Sequence, residues 1–178
     1  MLPHLEPWSA EEMKRSGAKQ FKISLIGDPF VGKTSIRRSY LDKVFKTSYI
    51  PTIGVDFARK SIVVDETPVY LVIWDIAGQP LYDSLRKRYY DGCKGLILAY
   101  SVVDCESFQH AENWLTQARD FMGGLPPVLV IGNKTDLRHD RASDEIVTTE
   151  EGQDLAVKVS EKMNTKTLFM ETSALTGF

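Results

Sequence analysis

The chain has 178 residues, of which 43% are hydrophobic and 26% charged, so it suits one globular domain with a sizeable core. Its net charge of −2 gives no electrostatic reason to expect nucleic acid or an anionic membrane as the main partner. Cys93 and Cys105 form neither a disulfide framework nor a zinc-type pair, which favours a reducing, cytoplasmic setting. No signal segment and no run long enough to cross a membrane is found.

About 20 residues precede the first predicted strand. The segment Ser9–Glu12 has the pattern of a capping box, which predicts a short helix from about Ser9 to Arg15. Residues 1–20 are therefore predicted to be an N-terminal extension, and residues 21–178 the folded domain.

Apolar runs and helical patterns alternate from Phe21 onward. Strands are predicted at Phe21–Gly27, Phe57–Asp65, Val69–Ile76, Gly95–Ser101, Pro127–Asn133 and Thr167–Thr172. Helices are predicted at Lys33–Leu41, Tyr82–Asp91, Glu106–Met122 and Thr149–Lys162. This order predicts an α/β doubly wound, mostly parallel six-stranded sheet with one antiparallel strand and helices on both faces. Ligands in such sheets bind at the carboxyl ends of the strands.

The last predicted strand is followed only by a turn at Thr176–Gly177. A buried strand needs both of its faces covered, so a further helix is expected after it. We therefore expect either that the domain is truncated before its last helix or that the N-terminal helix covers this face.

The segment Gly27–Ser35, which we call the phosphate loop, reads GDPFVGKTS and follows the first predicted strand. A Gly-x-x-x-x-Gly-Lys-Thr pattern between a strand and a helix brings backbone N–H groups, a helix dipole and a lysine to one spot. That arrangement favours a polyphosphate. Lys33 would reach the β- and γ-phosphates, and the Thr34 hydroxyl would bind the Mg²⁺ that bridges them. The pattern alone also occurs by chance in unrelated chains.

Two later loops carry groups suited to a γ-phosphate. Thr52 precedes a strand, and its hydroxyl would complete the Mg²⁺ shell, although a Pro-Thr pair alone is an ordinary turn. Asp75 ends another strand and would hold Mg²⁺ through water, while Gly78 would donate its N–H to the γ-phosphate and Gln79 would orient an attacking water. The alternative for this second loop is a strand that simply ends in a glycine turn.

The segment Asn133–Asp136 reads NKTD and follows the fifth predicted strand. The Asp136 carboxylate can accept from both N1–H and the N2 amine of guanine, and adenine lacks both donors. Asn133 would support the loop and the base edge, and the stem of Lys134 would pack on the ring. The N–H of Ala174, after the last strand, would donate to guanine O6.

In order and spacing, these motifs resemble those of the Ras-like small GTPases from Phe21 to about Phe178. Within that superfamily the chain is most similar to the Rab family, because Ile53–Phe57 (IGVDF) matches the Rab switch I motif and Tyr89–Gly95 resembles the Rab double-tyrosine segment. Glu106–Phe108 (ESF) is also similar to the corresponding Rab residues. The resemblance implies a domain that binds GTP and GDP with Mg²⁺.

The resemblance also implies the site residues. The metal ligands would be Thr34, Thr52 and Asp75, and the catalytic residues Gln79, Lys33 and Thr52. Phe57, Trp74 and Tyr89 match the Rab aromatic triad that effectors read, although ordinary core filling explains them equally well. Phe45 matches the aromatic residue that stacks edge-on against guanine. The nucleotide-binding residues would be Asp28, Pro29, Phe30, Val31, Gly32, Lys33, Thr34, Ser35, Phe45, Tyr49, Thr52, Gly78, Asn133, Lys134, Asp136, Ser173, Ala174 and Leu175.

The chain departs from the Rab pattern in the phosphate loop. Pro29 has no N–H to donate, and its ring would lie where Gln79 and an incoming arginine approach. Phe30 is bulky and would be strained if its position requires positive φ. Leu175 replaces the usual lysine after Ser-Ala, and Pro80–Tyr82 replaces the usual acidic-basic-Phe strip.

The resemblance implies a switch in vesicle traffic that binds effector, exchange-factor and activating proteins. We expect slow GTP hydrolysis and an arginine supplied by a partner, since no arginine lies near Thr52 in the sequence. Membrane attachment at the cytosolic face is only a family expectation, and no nucleic acid partner is expected. The alternative is a non-hydrolysing GTP-binding interaction module. A P-loop kinase or ATPase would leave Asn133–Asp136 unexplained.

Overall fold

The computed structural model describes residues 18–41, 55–76, 89–142 and 145–177. Six strands run at β1 (Lys19–Ile26), β2 (Val55–Val64), β3 (Thr67–Ile76), β4 (Cys93–Ser101), β5 (Val128–Asn133) and β6 (Thr167–Thr172). The helices are α1 (Lys33–Tyr40), α2 (Cys105–Gln109), α3 (Ala111–Met122) and α4 (Thr149–Met163), with a 3-10 helix at Thr135–Asp140.

The strands form one six-stranded sheet in the order β2-β3-β1-β4-β5-β6. Only β2 and β3 pair antiparallel, and the other neighbours are parallel. The β2–β3 turn has positive φ at both central residues, 46° at Asp65 and 59° at Glu66, as type I′ hairpin turns require. The predicted doubly wound sheet with one antiparallel strand is confirmed.

The main core lies on one face of this sheet. Alternate residues of β4, namely Leu96, Leu98 and Tyr100, are buried in the same apolar cluster as Leu115 of α3 and Val159 of α4. Because successive strand side chains point to opposite faces, α3 and α4 cover this face. The carboxyl ends of β1, β4 and β5 then open toward the loops that carry the sequence motifs.

The opposite face of the sheet carries an apolar groove of about 890 Å³ beside α1. Ile97, Leu129 and Ile131 line its floor, and Leu168 and Met170 of the edge strand β6 are 59% and 46% exposed. On this side α1 packs against β3. Apolar side chains are thus exposed on this face, and both sequence-based alternatives, a last helix beyond the given sequence or cover by the N-terminal helix, stay predictions.

The predicted helix Glu106–Met122 is divided at His110 into α2 and α3. The Asp104 carboxylate caps α2 by accepting the Ser107 N–H at 3.2 Å. His110 keeps helical angles, φ −78° and ψ −10°, so the division interrupts the helical hydrogen bonding with little change of direction. The predicted helix Tyr82–Asp91 falls mostly outside the described residues, as does the predicted helix Ser9–Arg15.

Close packing of α4 on the sheet predicts that Gly152→Ala destabilises the fold. A Cβ at this position would lie 2.5 Å from the Phe169 ring and 2.5 Å from the hydroxyl of the buried Tyr100. We expect the free energy of unfolding to fall by about 1–2 kcal/mol in urea denaturation, although alanine is the better helix former. Gln153→Ala, at the exposed neighbouring position, should leave the urea midpoint unchanged or raise it. An equal or higher midpoint for Gly152→Ala would contradict the packing argument.

Candidate nucleotide-binding site

The phosphate loop connects β1 to α1 and approaches two neighbouring strands closely. Gly27 has φ 134°, and a Cβ there would lie 2.1 Å from the carbonyl oxygen of Ala99 in β4. Gly32 has φ 97°, and a Cβ there would lie 2.3 Å from Nδ2 of Asn133. Both positions therefore need glycine for backbone conformation and for space, and the loop is held tightly against the carboxyl ends of β4 and β5.

Lys33 lies at the start of α1 with its side chain buried in the phosphate loop. Its ammonium donates to the carbonyl oxygens of Gly27 at 2.8 Å and Asp28 at 2.7 Å. Burial lowers the Lys33 pKa to about 8, against the opposing effect of the Asp75 and Asp28 carboxylates. Among the described residues no side chain caps α1, so its first-turn N–H groups and the ammonium form the donor set that an anion requires.

Thr34 and Asp75 form the candidate metal subsite. The Thr34 hydroxyl donates to Oδ2 of Asp75 at 2.5 Å, and the Asp75 side chain is fully buried. Oδ1 of Asp75 has no hydrogen-bond partner in the described chain. Burial raises the Asp75 pKa, while the Thr34 hydrogen bond and the charges of Arg37 and Lys33 lower it. A buried carboxylate oxygen left unpaired beside a hydroxyl fits a Mg²⁺ ion bound through its water ligands.

No three His, Cys, Asp or Glu side chains cluster as a metal site anywhere in the described ranges. A Mg²⁺ ion held here would therefore take most of its ligands from hydroxyls, water and phosphate oxygens, which is the usual pattern for this ion at nucleotide sites.

Arg37 is a further charged residue of this site that was not predicted from the sequence, because it lies far from Thr52 along the chain. The buried Arg37 guanidinium forms an ion pair with Asp56, and its Nε lies 3.5 Å from Oδ2 of Asp75. A spacing of three or four residues places Arg37 on the same face of α1 as Lys33 and Thr34, and this periodicity is the signal that would have found it.

Asn133 connects the phosphate loop to the ends of β5 and β6. Its Nδ2 donates to the carbonyl oxygen of Val31 at 2.8 Å. Its Oδ1 accepts the Ala174 N–H at 3.2 Å and the Thr172 hydroxyl at 3.1 Å. One buried amide therefore makes hydrogen bonds to three parts of the fold. The Ala174 N–H, which was predicted to donate to guanine O6, donates to Asn133 instead.

Asp136 lies in the first turn of the 3-10 helix, where its half-buried carboxylate accepts the hydroxyl of the buried Ser173. Lys134 precedes it with φ 69°, and burial lowers the Lys134 pKa. Leu175 is 52% exposed beside these residues. The structure thus brings Asn133–Asp136 and Ser173–Leu175 together at one edge of the sheet, next to the phosphate loop.

Phe30 adopts the left-handed conformation, with φ 66°, and its side chain is 65% exposed. Phe30 therefore has the positive φ at which strain was predicted. A residue with a Cβ costs free energy in this left-handed region. Pro29 precedes it in the same turn of the loop.

The three aromatic residues matched to the Rab triad form a continuous stack. Phe57 and Trp74 are stacked with ring centroids 5.8 Å apart, and Trp74 meets Tyr89 edge-on at 6.1 Å. Phe57 is 65% exposed, whereas Tyr89 is fully buried with its hydroxyl 2.7 Å from the Trp74 carbonyl oxygen. The triad therefore runs from the core, at Tyr89, to the surface, at Phe57, and its reading by effectors stays a prediction.

Phe45, Tyr49, Thr52, Gly78 and Gln79 lie outside the described residues, and their predicted roles stay predictions. Two further residues beside the phosphate loop, His110 and Trp114, had no signal in the sequence. Both bind the Asp28 side chain across more than 80 residues of chain.

A glycine-bounded loop that leads from the central strand β1 into a helix, at the carboxyl ends of a doubly wound sheet, is the arrangement of a P-loop nucleotide-binding domain. The model of the Ras family matches residues 22–178. The chain is 41% identical over 155 residues to the Ras-related protein RABA1g of Arabidopsis thaliana, covering 87% of this chain and 67% of that protein. It is 36% identical over 154 residues to Ras-related protein Rab-3C of Bos taurus, covering 86% and 63%.

The chain therefore belongs to the Ras family of small GTPases and is most similar to its Rab proteins. It is also 39% identical over 136 residues to Ras-related protein Rab-3B of Homo sapiens, covering 76% of this chain and 60% of that protein. The chain thus spans about two thirds of the length of the curated relatives it matches. Among the helices of the described ranges, none has both the length and the apolar character needed to cross a bilayer.

Relief of the left-handed strain predicts that Phe30→Gly stabilises the protein. The substitution removes the Cβ penalty of about 1–2 kcal/mol and costs about 0.5–1 kcal/mol in unfolded-chain entropy. We expect the free energy of unfolding to rise by up to about 1 kcal/mol in urea denaturation. Phe30→Ala is the matched control, since it removes the ring and keeps the Cβ. An equal gain for the alanine variant would assign the effect to the ring and not to the backbone.

Arg37→Met is expected to destabilise the protein by about 3 kcal/mol, because it leaves the buried Asp75 carboxylate without its arginine partner. Thermal or urea unfolding measures the loss. Arg38→Met removes a neighbouring charge whose side chain is only half-buried, and should cost much less. Adding Asp75→Asn to Arg37→Met should recover part of the stability. Equal losses for the two arginine variants would exclude a specific role for the Arg37–Asp75 contact.

Proposed function

We propose that this protein binds GTP and GDP with Mg²⁺ and acts as a Rab-like switch in vesicle traffic. The observation that carries the proposal is the Asn133 amide, which joins the phosphate loop to the turn that bears Ala174. A phosphate site and a base site are thereby held at a fixed separation, as one mononucleotide requires. Membership of the Ras family supports the same activity.

The base proposed for this site is guanine. Asp136 presents a half-buried carboxylate at the sheet edge, and a carboxylate accepts from N1–H and the N2 amine together. Adenine would leave that carboxylate unpaired. The loss of a hydrogen bond to a buried charge costs roughly several kcal/mol. Lys134 is half-buried, and the stem of its side chain would pack on the ring of the base.

Thr34 and Asp75 would hold the metal, together with Thr52 when the triphosphate is bound. Mg²⁺ neutralises charge that develops on the phosphate oxygens. Lys33 would exchange the carbonyl oxygens of Gly27 and Asp28 for phosphate oxygens, which are stronger acceptors. Gln79 would orient the attacking water. Turnover without an activating protein is proposed to be slow, on the order of 10⁻⁴ to 10⁻³ per second.

Partner proteins would read the loops that change with the γ-phosphate. The stack of Phe57, Trp74 and Tyr89 is proposed as part of the effector surface, since its outer member is largely exposed. Exchange factors and an activating protein that supplies an arginine would act at the same loops. Attachment to the cytosolic face of a membrane is proposed only from the family.

The second candidate function is a GTP-binding interaction module that does not hydrolyse GTP. The left-handed Phe30 and its neighbour Pro29 motivate it, because both lie in the loop where the transition state must be surrounded by donors. A single-turnover assay that compares the protein with Gln79→Leu decides between them. A faster rate for the unsubstituted protein supports the switch, and equal rates near background support the module.

Identification of the nucleotide released on denaturation tests the proposal directly, and retention of ATP in preference to GTP would overturn it.

Asp136→Asn is expected to weaken GDP binding by about 10²-fold or more, because one acceptor is lost and a donor faces the N2 amine. Xanthosine diphosphate should bind the variant better than GDP does, since its C2 carbonyl accepts from the new amide. Fluorescence competition measures both affinities, with Asp140→Asn on the same 3-10 helix as the control.

A further inference from the structure

The Asp28 side chain is held from outside the phosphate loop. Its Oδ1 accepts the indole N–H of Trp114 at 2.6 Å, and its Oδ2 lies 2.7 Å from Nδ1 of His110. His110 directly precedes α3 and Trp114 lies one turn further, so the two side chains project from the same face. Both carboxylate oxygens of a phosphate-loop residue are therefore fixed by a single helix.

The main chain of Asp28 contacts the group that would bind phosphate. Its carbonyl oxygen accepts the Lys33 ammonium at 2.7 Å, and Lys33 is buried. A shift of the Asp28 side chain would move this carbonyl and the donors that follow it. Small displacements of such donors cost much of their interaction with an anion, because hydrogen bonds weaken steeply with geometry.

We propose that His110 and Trp114 are positioning residues of the phosphate loop, which strengthen phosphate binding by fixing the carboxylate of Asp28. The inference rests on the proposed nucleotide function, and it assigns α3 a role in that site. Helix capping does not account for His110, because its side chain makes no cap hydrogen bond to α3. Its observed side-chain contact is the one to Asp28.

Three acidic groups act on the His110 ring. Asp28 faces it from the phosphate loop, Asp104 from the turn before α2, and Glu106 from α2 itself. Asp28 raises the pKa of His110 above its ordinary value of 6.5, first through the hydrogen bond and then through its charge. The imidazolium form therefore gives an ion pair. The neutral form with Nδ1–H keeps a weaker hydrogen bond, and the indole of Trp114 does not titrate.

Dissociation of a fluorescent GDP analogue tests the role of the two residues. We expect His110→Ala and Trp114→Phe each to release the nucleotide about 2- to 10-fold faster, the size of one lost hydrogen bond. Asn113→Ala, an exposed substitution on the same helix, should match the unsubstituted protein. In an Asp28→Ala background, His110→Ala should have no further effect. A full effect in that background would overturn the proposal.

The pH dependence separates positioning from mere packing. Because the folded-state pKa of His110 is raised, the ion pair is fully present below about pH 6.5 and is lost as the pH rises through the higher pKa. Dissociation of GDP should therefore become faster over that range. His110→Asn, which keeps an N–H donor near the position of Nδ1, should restore slow release and remove this pH dependence. A pH profile in His110→Asn equal to that of the unsubstituted protein would overturn the proposal.

Two readouts do not need a guanine nucleotide. In NMR titration, the His110 pKa should fall toward 6.5 in Asp28→Asn, and an unchanged pKa would overturn the proposal. If the protein does not bind GDP, the proposed function fails, and the affinity for inorganic pyrophosphate then decides the inference. Weaker pyrophosphate binding in His110→Ala supports it. Equal affinities, or no binding by either protein, overturn it.

Discussion

One side-chain amide, that of Asn133, holds the two halves of the candidate site together. It donates to the phosphate loop at Val31 and accepts from the main chain at Ala174, so loop, β5 and the turn after β6 share a single buried group. The close approach that makes this possible depends on Gly32, where any side chain would collide with the same amide. The distance between the phosphate loop and the turn after β6 is thus set by a few short contacts at the carboxyl ends of the strands.

Three charged side chains near the phosphate loop, those of Lys33, Arg37 and Asp75, are buried. Asp75 is fully buried, and its charge is balanced by Arg37 on one side and approached by Lys33 on the other. Buried ions are stabilised only when each has partners, and two atoms of this group, Oδ1 of Asp75 and Nε of Arg37, have no hydrogen-bond partner in the described chain. An unpaired carboxylate oxygen at this position fits the proposed Mg²⁺ ion. The candidate metal subsite is coupled by charge to Lys33 of the phosphate loop.

The parts of the site that were predictable from the sequence are those encoded over a few consecutive residues. The glycines and Lys33 of the phosphate loop and the NKTD segment carry their geometry in their own spacing, and alternating apolar runs indicated all six strands within a few residues. Arg37 lay within this range, because helical periodicity places it beside Thr34, yet its partners Asp56 and Asp75 are far along the chain.

Contacts across the fold could not be predicted in this way. His110 and Asp28 are 82 residues apart, and only the packing of α3 beside the phosphate loop joins them. The division of one predicted helix at the same histidine also has no glycine or proline to mark it. The sequence predicted strain at Phe30 only if φ there is positive. The value of φ at a loop position depends on the path of the backbone and could not be predicted from the residue type. The roles assigned to Thr52 and Gln79 depend on loops that lie outside the described residues.

The burial of Lys33 has a thermodynamic consequence for any calorimetry on this protein. A group whose pKa is lowered to about 8 carries less than a full proton in mildly alkaline solution. Phosphate oxygens bound close to the ammonium would raise that pKa again, so the proposed binding of a polyphosphate near pH 8 would be accompanied by proton uptake from the buffer. The apparent enthalpy of binding then contains the ionisation enthalpy of the buffer. Titrations in two buffers of different ionisation heat therefore measure the net proton uptake on binding, to which Lys33 would contribute.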